Sequence, residues 1–204
     1  MRINKKKFIY LISPNKIYPE FYQDLNQVLR IGKVALFQLR LKKYSLKQKI
    51  VIGKKIQQIC KKNNIKFIVN DDPMLSKTLN ADGCHLGQKD MDIKNARKII
   101  GKKIIGVTCH NSIKLAKAAI KENADYIAFG AFFSTKTKKV KFKADIKILN
   151  KIKKLTKTPI VAIGGINFDN YKKLLLNNAN LLAISSYVWN NKKYKPLETI
   201  EKLK

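Results

Sequence analysis

Short apolar segments rich in β-branched residues recur along the chain at intervals of about 20 to 30 residues. They are nearly continuous hydrophobic runs rather than alternating ones, which is typical of parallel strands buried on both faces. The eight predicted strands cover 8–13, 34–40, 66–71, 83–88, 103–110, 126–132, 159–165 and 181–186.

Amphipathic patterns lie between these segments. Ser112 is expected to cap one helix, and Asn167 or Asp169 another. The link between the third and fourth strands is short and predicts a single helical turn at 73–79. A longer helix is predicted at 45–62, with its apolar face formed by Leu46, Ile50, Ile52, Ile56 and Ile59.

Eight strands alternating with helices predict an α/β fold, a (β/α)8 TIM barrel that forms a single domain over residues 1–204. A doubly wound sheet ranks second because such sheets usually carry about five or six strands. The C-terminal segment "NNKKYKPLETIEKLK" is expected to form the last helix against the barrel.

The charge of the chain is strongly basic, with 44 Lys and Arg, 13 Asp and Glu and a formal net charge of +31. Such a charge suggests nucleic acid, but the lysines are spread from end to end and arginine, the better ligand for phosphates and base edges, is scarce. We therefore expect no specific nucleic-acid partner. The arginines are Arg2, Arg30, Arg40 and Arg97.

The sequence also indicates a cellular compartment. No apolar run approaches the roughly 18 residues that a membrane-spanning helix needs, and "MRINKKKFIYLIS" leads into "PNKIYPE" without a small-residue cleavage site. The spacing of Cys60, Cys84 and Cys109 suggests neither a disulfide framework nor a zinc knuckle. We expect a cytoplasmic protein with reduced thiols and no membrane partner, and the oligomeric state stays open.

Polar residues gather where the predicted strands end. In a (β/α)8 barrel these ends form the C-terminal face, where active sites lie. A barrel selected for stability alone has no reason to aim such a set at one rim, so we interpret the rim as a functional site. The residues are Gln38, Arg40, Lys42, Asn70, Asp71, His85, Gln88, Asp90, Thr108 and His110.

An acidic cluster interrupts this basic chain, with five aspartates between residues 71 and 92. Asp71 and Asp90 would end neighbouring strands, and two adjacent carboxylates repel unless a cation lies between them. Oxygen ligands on short loops suit Mg²⁺, so we predict that these two bind metal. Asp72 and Asp92 resemble turn or cap residues and Asp82 precedes a strand glycine, so we expect these three to be structural.

Two segments are candidates for phosphate binding. "AFFSTKTKK" offers the hydroxyl groups of Thr135 and Thr137 beside Lys138. "IGGIN" places two glycines before a helix start, where backbone N–H groups can meet a phosphate, and the end of strand 8 lies next to it in a barrel.

The adjacent pairs Cys84-His85 and Cys109-His110 suggest zinc or thiol chemistry at first sight. Successive side chains of a strand point to opposite faces, so neither pair can converge on one metal ion. We therefore disfavour that interpretation.

These segments together resemble the thiamine phosphate synthase and thiazole tautomerase family. The resemblance runs in order from about Phe8 to Trp189. It is carried by "FQLRLKK", "FIVNDDPMLSKTLNADGCHLGQKDM", "IIGVTCHNS", "ADYIAFGAFFSTKTKK", "PIVAIGGINFDN" and "LLAISS".

The resemblance implies an Mg²⁺-assisted transferase that joins a pyrimidinylmethyl diphosphate to a thiazole phosphate and releases pyrophosphate. Arg40, Lys42 and Lys138 would be catalytic, and Asp71 and Asp90 would bind Mg²⁺. The implied ligands of the pyrimidine diphosphate are Gln38, Arg40, Lys42, Asn70, Thr108 and Lys138. Those of the thiazole phosphate are Thr135, Thr137, Gly165, Ile184 and Ser185.

The sequence departs from the family pattern at several positions. Leu41 stands where the family has an acidic residue between two cations, and Ala131 and Ser134 replace the usual prolines. The run "VKFKAD" after Lys139 is short and lacks the family's glycines.

Three alternatives stay open. A thiazole tautomerase of the same family would lack the metal and diphosphate ligands. A basic nucleic-acid-binding protein would show salt-sensitive association without Mg²⁺-dependent turnover. Another phosphate-handling barrel enzyme is supported by fold analogy alone.

Overall fold

The computed structural model describes residues 6–134 and 143–203. In this part of the chain, eight parallel strands pair in sequence order, and the first strand also pairs with the eighth, so the sheet is a closed barrel. This confirms the predicted (β/α)8 barrel over the doubly wound sheet. The strands are β1 (Ile9–Ile12), β2 (Val34–Leu39), β3 (Lys66–Asn70), β4 (Gly83–Leu86), β5 (Ile104–His110), β6 (Tyr126–Phe129), β7 (Ile160–Ile163) and β8 (Leu181–Ile184).

Helices follow each strand, and the last of them, α9, lies in the C-terminal segment, where a helix is predicted, and packs against α1 and α8. The helices are α1 (Phe21–Arg30), α2 (Leu46–Lys62), α3 (Pro73–Thr78), α4 (Ile93–Ile100), α5 (Ile113–Lys121), α6 (Lys147–Lys153), α7 (Tyr171–Leu176), α8 (Ser186–Trp189) and α9 (Pro196–Lys202). In the described residues no helix is long and apolar enough to cross a membrane.

The core has two layers because strand side chains alternate between the barrel axis and the surrounding helices. The larger outer cluster joins one face of the strands to the helices, for example through Leu11, Phe37 and Val69. The smaller cluster fills the barrel interior and contains Tyr10, Ile12, Leu36, Ile68, Tyr126, Ala128, Val161, Leu181 and Ala183.

The interior changes from apolar to polar towards the carboxyl ends of β2 to β5. In each of these strands, an apolar residue or a glycine is followed two positions later by a polar residue on the same face. The pairs are Leu36 and Gln38, Ile68 and Asn70, Gly83 and His85, and Gly106 and Thr108. The fold therefore delivers four of the polar strand-end residues to one end of the barrel.

The opposite end of the barrel carries a repeated hydrogen bond. The residue just before β4, β6 or β8 uses its side-chain oxygen to accept an N–H group from the first or second residue of the preceding strand. Asp82 accepts from Phe67 at 2.9 Å, and Asp125 and Asn180 make equivalent bonds. Asp82 also forms a salt bridge with Lys66. The predicted structural role of Asp82 is therefore to cap the start of β3.

Replacing Asp82 with alanine is expected to lower the free energy of unfolding by about 1–2 kcal/mol, because the Phe67 N–H group at the start of a buried strand loses its acceptor. Urea denaturation followed by circular dichroism measures the change. Glu122→Ala removes an exposed carboxylate and is expected to change stability by less than about 0.5 kcal/mol. Equal stability losses in both variants would contradict the strand-capping role.

The helix predictions are mostly confirmed. Ser45 caps α2, Asp72 caps α3, Asp92 caps α4 and Ser112 caps α5, each by accepting a backbone N–H bond. Leu46 is an exception on the predicted apolar face of α2: it is 60% exposed because the first turn extends beyond the residues that pack on that face.

The predicted cap of α7 is wrong. Neither Asn167 nor Asp169 is the cap, because the helix begins one residue after Asn170. The Asn167 side chain instead accepts the Asp169 N–H bond, and the Asn170 side chain accepts the Asn167 N–H bond. The polar side chains therefore stabilise the turn that precedes the helix, and are not available to cap the helix itself.

Candidate active site at the carboxyl ends of the strands

Two carboxylates meet at the carboxyl ends of β3 and β4. Asp71 follows the last residue of β3, and Asp90 lies in the loop after β4, close enough to Asp71 for the two carboxyl groups to interact. The Gly87 N–H group donates to Asp90 at 2.7 Å and holds this side chain in place. The sequence predicts this proximity, and the fold provides it.

Two cations flank the carboxylate pair. Lys42 Nζ lies 3.1 Å from Asp71 Oδ2. Arg40 is partly buried and interacts electrostatically with Asp71, and its guanidinium donates to Asn15 Oδ1 at 3.3 Å. The Arg40 backbone N–H group donates to Ser13 Oγ at 2.9 Å, which anchors the end of β2 to the end of β1. The cluster therefore combines two fixed negative charges with two positive ones.

The electrostatics of the pair reflect burial and mutual repulsion. Desolvation raises the pKa of Asp90, and the neighbouring Asp71 raises it further, while the Gly87 N–H bond and Lys42 oppose the shift. A divalent ion between the two carboxylates would remove their repulsion. No group of three or more His, Cys, Asp and Glu side chains forms a metal cage in the described chain. A pair of carboxylates suits Mg²⁺, which keeps several waters and takes further ligands from phosphates.

The backbone at Asp71 is unusual. Its φ angle is 64°, in the left-handed region, and its N–H group donates to the carbonyl oxygen of His85 at 2.8 Å. Residues other than glycine adopt this region infrequently, and aspartate, asparagine and histidine do so most readily. Four asparagines away from the rim also have a positive φ angle in the described residues. His110 at the end of β5 has a φ angle of 51° and shares this feature.

A buried chain of hydrogen bonds crosses the barrel below the charged cluster. Gln38 Nε2 donates to the Tyr10 hydroxyl at 2.7 Å, and this hydroxyl lies 2.8 Å from that of Tyr126. The Tyr126 hydroxyl is 2.9 Å from His85 Nδ1, and His85 Nε2 is 2.8 Å from Thr108 Oγ1. Five side chains from β1, β2, β4, β5 and β6 are thereby connected.

Burial sets the protonation states in this chain. It lowers the pKa of His85 to about 4, with Asp71 opposing and Arg40 adding to the shift, so the imidazole is neutral at neutral pH. Burial also raises the pKa of Tyr10 and Tyr126 far above the ordinary value, so both phenols keep their protons. The hydrogen-bonded side chains below the charged cluster therefore form an uncharged surface.

The ends of β7 and β8 form the other side of the rim. Gly164 and Gly165 have φ angles of 104° and 64°, and a Cβ atom on Gly165 would lie 2.3 Å from the Ser134 carbonyl oxygen. Glycine is required here because the segment after β6 packs directly on this turn. Ser185 Oγ, beyond β8, donates to the Ser13 carbonyl oxygen at 3.1 Å.

The other predicted ligands lie in different parts of the rim. Ile184 packs its side chain in the outer core, so its backbone is the part that can face a ligand. Asn70 ends β3 and pairs with His85 in the sheet. Thr135, Thr137 and Lys138 lie outside the described residues, so their roles stay predictions.

The cysteines behave as the strand alternation predicts. Cys84 and Cys109 are buried in the outer cluster, whereas His85 faces the barrel interior. Burial raises the pKa of both thiols to about 12, which leaves them protonated and unreactive. Leu41, which replaces an acidic residue of the family pattern, is likewise buried in the outer cluster.

Tyr10 and Tyr126 were not predicted from the sequence as part of the site. Both occupy interior strand positions, and a buried tyrosine hydroxyl usually finds a hydrogen-bond partner. Strand alternation combined with that rule was the available signal. Ser13 and Asn15, which hold Arg40, were also missed, because they follow the short β1 in a segment whose contacts depend on the barrel closing.

Comparisons with known proteins identify the family. Residues 9–188 match the family described as thiamine monophosphate synthase. A thiamine-phosphate synthase of Pelagibacter ubique (strain HTCC1062) is 66% identical, with all of both chains covered. One of Erythrobacter litoralis (strain HTCC2594) is 41% identical over 89% of this chain and 87% of the relative.

Solved structures share the fold of this chain. Thiamine phosphate pyrophosphorylase from Pyrococcus furiosus superposes with a TM-score of 0.86 at 30% identity, covering 98% of this chain and 94% of that one. 3-Hexulose-6-phosphate synthase from Salmonella typhimurium has a TM-score of 0.70 at 16% identity, covers 96% of each chain and shows a shared fold alone.

Proposed function

The chain belongs to the thiamine monophosphate synthase family, and from that premise we propose that the carboxyl ends of its strands perform the family's reaction. The protein is a transferase that joins 4-amino-2-methyl-5-(diphosphooxymethyl)pyrimidine to a thiazole phosphate, giving thiamine phosphate and pyrophosphate. The observation that carries the proposal is the proximity of Asp71 and Asp90, with Arg40 and Lys42 beside them.

The departing pyrophosphate sets the main requirement for catalysis. Negative charge grows on this group as the bond to the pyrimidinylmethyl carbon breaks, and fixed cations lower the barrier most when they are in place beforehand. Arg40 is held by Ser13 and Asn15, and Lys42 by Asp71. Lys138, outside the described residues, would add a third cation in this proposal.

Asp71 and Asp90 are the residues that would hold Mg²⁺. When bound, the ion supplies charge neutralisation to the leaving pyrophosphate and orients it. The proximity of the two carboxylates supports this assignment. Burial raises the pKa of Asp90 and the neighbouring Asp71 adds to the shift, and a cation would relieve this second, repulsive contribution.

The pyrimidine would lie on the neutral surface below the charged cluster. Gln38, Asn70 and Thr108 offer amide and hydroxyl groups at the polar end of the barrel interior. An uncharged surface adds no positive charge that would repel the ring, which becomes cationic when pyrophosphate leaves. The thiazole nitrogen then attacks the methylene carbon. This sequence of steps requires no protein nucleophile, and positioning of the two substrates completes the catalysis.

The thiazole phosphate would bind at the β7 and β8 end of the rim. Gly165 lies in a tight left-handed turn, and Ser185 directly precedes the short helix after β8. The backbone of Ile184 and the hydroxyl groups of Thr135 and Thr137 would complete the site. The position agrees with the usual phosphate site of these barrels, after strands 7 and 8.

The remaining proposals concern the setting of the enzyme. We place it in the cytoplasm as a single barrel domain over residues 1–204 with two small-molecule substrates and no specific nucleic-acid partner. Association with nucleic acid through the +31 charge alone would weaken steeply with salt.

Incubation with both substrates tests the function. Thiamine phosphate and pyrophosphate are expected in equal amounts when Mg²⁺ is present, and removal of divalent ions with EDTA is expected to reduce the rate by about 100-fold or more. Chromatography measures both products. Failure to form thiamine phosphate with Mg²⁺ would contradict the assignment, and isomerisation of a thiazole substrate alone would favour the tautomerase.

A further inference from the structure

The buried hydrogen-bond chain runs through residues that the reaction itself does not use. Tyr10 and Tyr126 are almost completely buried, and their rings meet edge to face with centroids 5.6 Å apart. His85 stacks on Tyr126, again with centroids 5.6 Å apart. The two ends of the chain, Gln38 and Thr108, are proposed ligands of the pyrimidine.

The direction of the hydrogen bonds follows from the Gln38 end. The Gln38 side-chain nitrogen can only donate a hydrogen bond, so the Tyr10 hydroxyl oxygen is its acceptor. The Tyr10 proton then goes to the Tyr126 oxygen, because Tyr126 is the second hydrogen-bond partner of this hydroxyl and a buried proton left unpaired costs free energy.

The remaining bonds are fixed in the same way. The Tyr126 proton goes to His85 Nδ1, which is therefore unprotonated. A neutral imidazole carries its single proton on the other nitrogen, so His85 Nε2 donates to Thr108 Oγ1. The Thr108 hydroxyl proton is therefore available for a hydrogen bond to a ligand. The Gln38 side-chain oxygen takes no part in this series of hydrogen bonds.

We propose that Tyr10, Tyr126 and His85 are positioning residues that fix the hydrogen-bonding polarity of the pyrimidine site. With His85 as its Nε2–H tautomer, the site presents an acceptor at Gln38 Oε1 and a donor at the Thr108 hydroxyl.

This polarity determines which pyrimidine is accepted, an inference that depends on the proposed function. An aminopyrimidine offers an amino donor next to a ring-nitrogen acceptor, which complements an acceptor and a donor on the protein. A 4-oxo analogue reverses both groups and leaves buried polar atoms unpaired, and sites built on hydrogen bonds reject such analogues strongly.

The tautomer of His85 is the first readout. The chain has two histidines, so the full-length His110→Gln variant gives a ¹⁵N spectrum of His85 alone. We expect an unprotonated Nδ1 and a protonated Nε2 at neutral pH. A protonated Nδ1 would overturn the proposal. This measurement needs no substrate, so it stands even if thiamine phosphate is not the product.

The second readout uses Tyr126→Phe, which removes one hydroxyl from the middle of the chain. We expect the KM for the pyrimidine diphosphate to rise by about tenfold or more, and the preference for the amino substrate over its 4-oxo analogue to fall by a similar factor. The KM for the thiazole phosphate is expected to stay the same.

The matched control is Tyr18→Phe, which removes a tyrosine hydroxyl bonded to Asp24 outside the barrel and is expected to leave each KM unchanged. If Tyr126 merely stabilises the fold, Tyr126→Phe lowers the active fraction and hence kcat alone. Unchanged KM and unchanged preference in Tyr126→Phe would overturn the proposal. Loss of all activity in the unmodified protein would instead refute the proposed function.

Discussion

Asp71→Asn is expected to lower kcat/KM for the pyrimidine diphosphate by about 100- to 1,000-fold. The substitution keeps the shape of the side chain but removes one of the two charges that would hold Mg²⁺. It also removes the partner of Lys42, 3.1 Å away, so one of the cations aimed at the leaving pyrophosphate loses its anchor. Initial rates measured over a range of Mg²⁺ concentrations should show a raised requirement for the ion as well as a lower maximum.

Asp82→Asn is the matched control for this experiment. Asp82 belongs to the same acidic cluster in the sequence, but its carboxylate accepts the Phe67 N–H bond at the other end of the barrel. Asparagine keeps an oxygen acceptor there, so we expect kcat/KM to stay within about a factor of two. Near-normal turnover in Asp71→Asn, or equal losses in both variants with intact circular dichroism spectra, would contradict the assigned roles.

Gly106→Ala is expected to lower the free energy of unfolding by about 2–3 kcal/mol, at the severe end for an added methyl group. A Cβ atom at this position of β5 would lie 1.8 Å from Cζ of Tyr126. The Tyr126 ring has no easy alternative position because it is completely buried and its hydroxyl contacts both Tyr10 and His85. Urea denaturation measures the loss.

Two further variants separate overpacking from a general effect of alanine. Gly53→Ala in α2 would meet the end of the flexible Leu79 side chain and gains helix propensity, so we expect a change below about 1 kcal/mol. The double variant Gly106→Ala/Tyr126→Leu removes the ring that the methyl group meets. It should show favourable coupling relative to the sum of the single changes. Additive losses would show that Tyr126 is not the obstacle.

Much of the fold was predictable because its strongest signal is local. Eight buried strands read directly as apolar runs, and the caps at Ser45, Asp72, Asp92 and Ser112 follow from side chains that bond to backbone within three residues. The strand ends were less predictable: β6 stops at Phe129 rather than at residue 132, because the segment from Gly130 onward leaves the sheet to pack on the β7 turn. Hydrophobicity alone does not record that departure.

The candidate site divides in a similar way. Asp71 and Asp90 were predictable as neighbours because the order of strands in a barrel follows the order in the chain. The connection from Gln38 to Thr108 was not, since Tyr10 and Tyr126 are 116 residues apart and meet only across the closed barrel. Contacts of that kind depend on the tilt and register of the strands, which no short segment specifies.

Anomalous scattering from Mn²⁺ tests the central claim most directly. Crystals grown with Mn²⁺ and pyrophosphate should show an anomalous peak within coordination distance of carboxylate oxygens from both Asp71 and Asp90, with pyrophosphate oxygens completing the shell beside Arg40 and Lys42. A pyrophosphate bound at the rim without a metal at these two carboxylates, or a metal held elsewhere, would contradict the account.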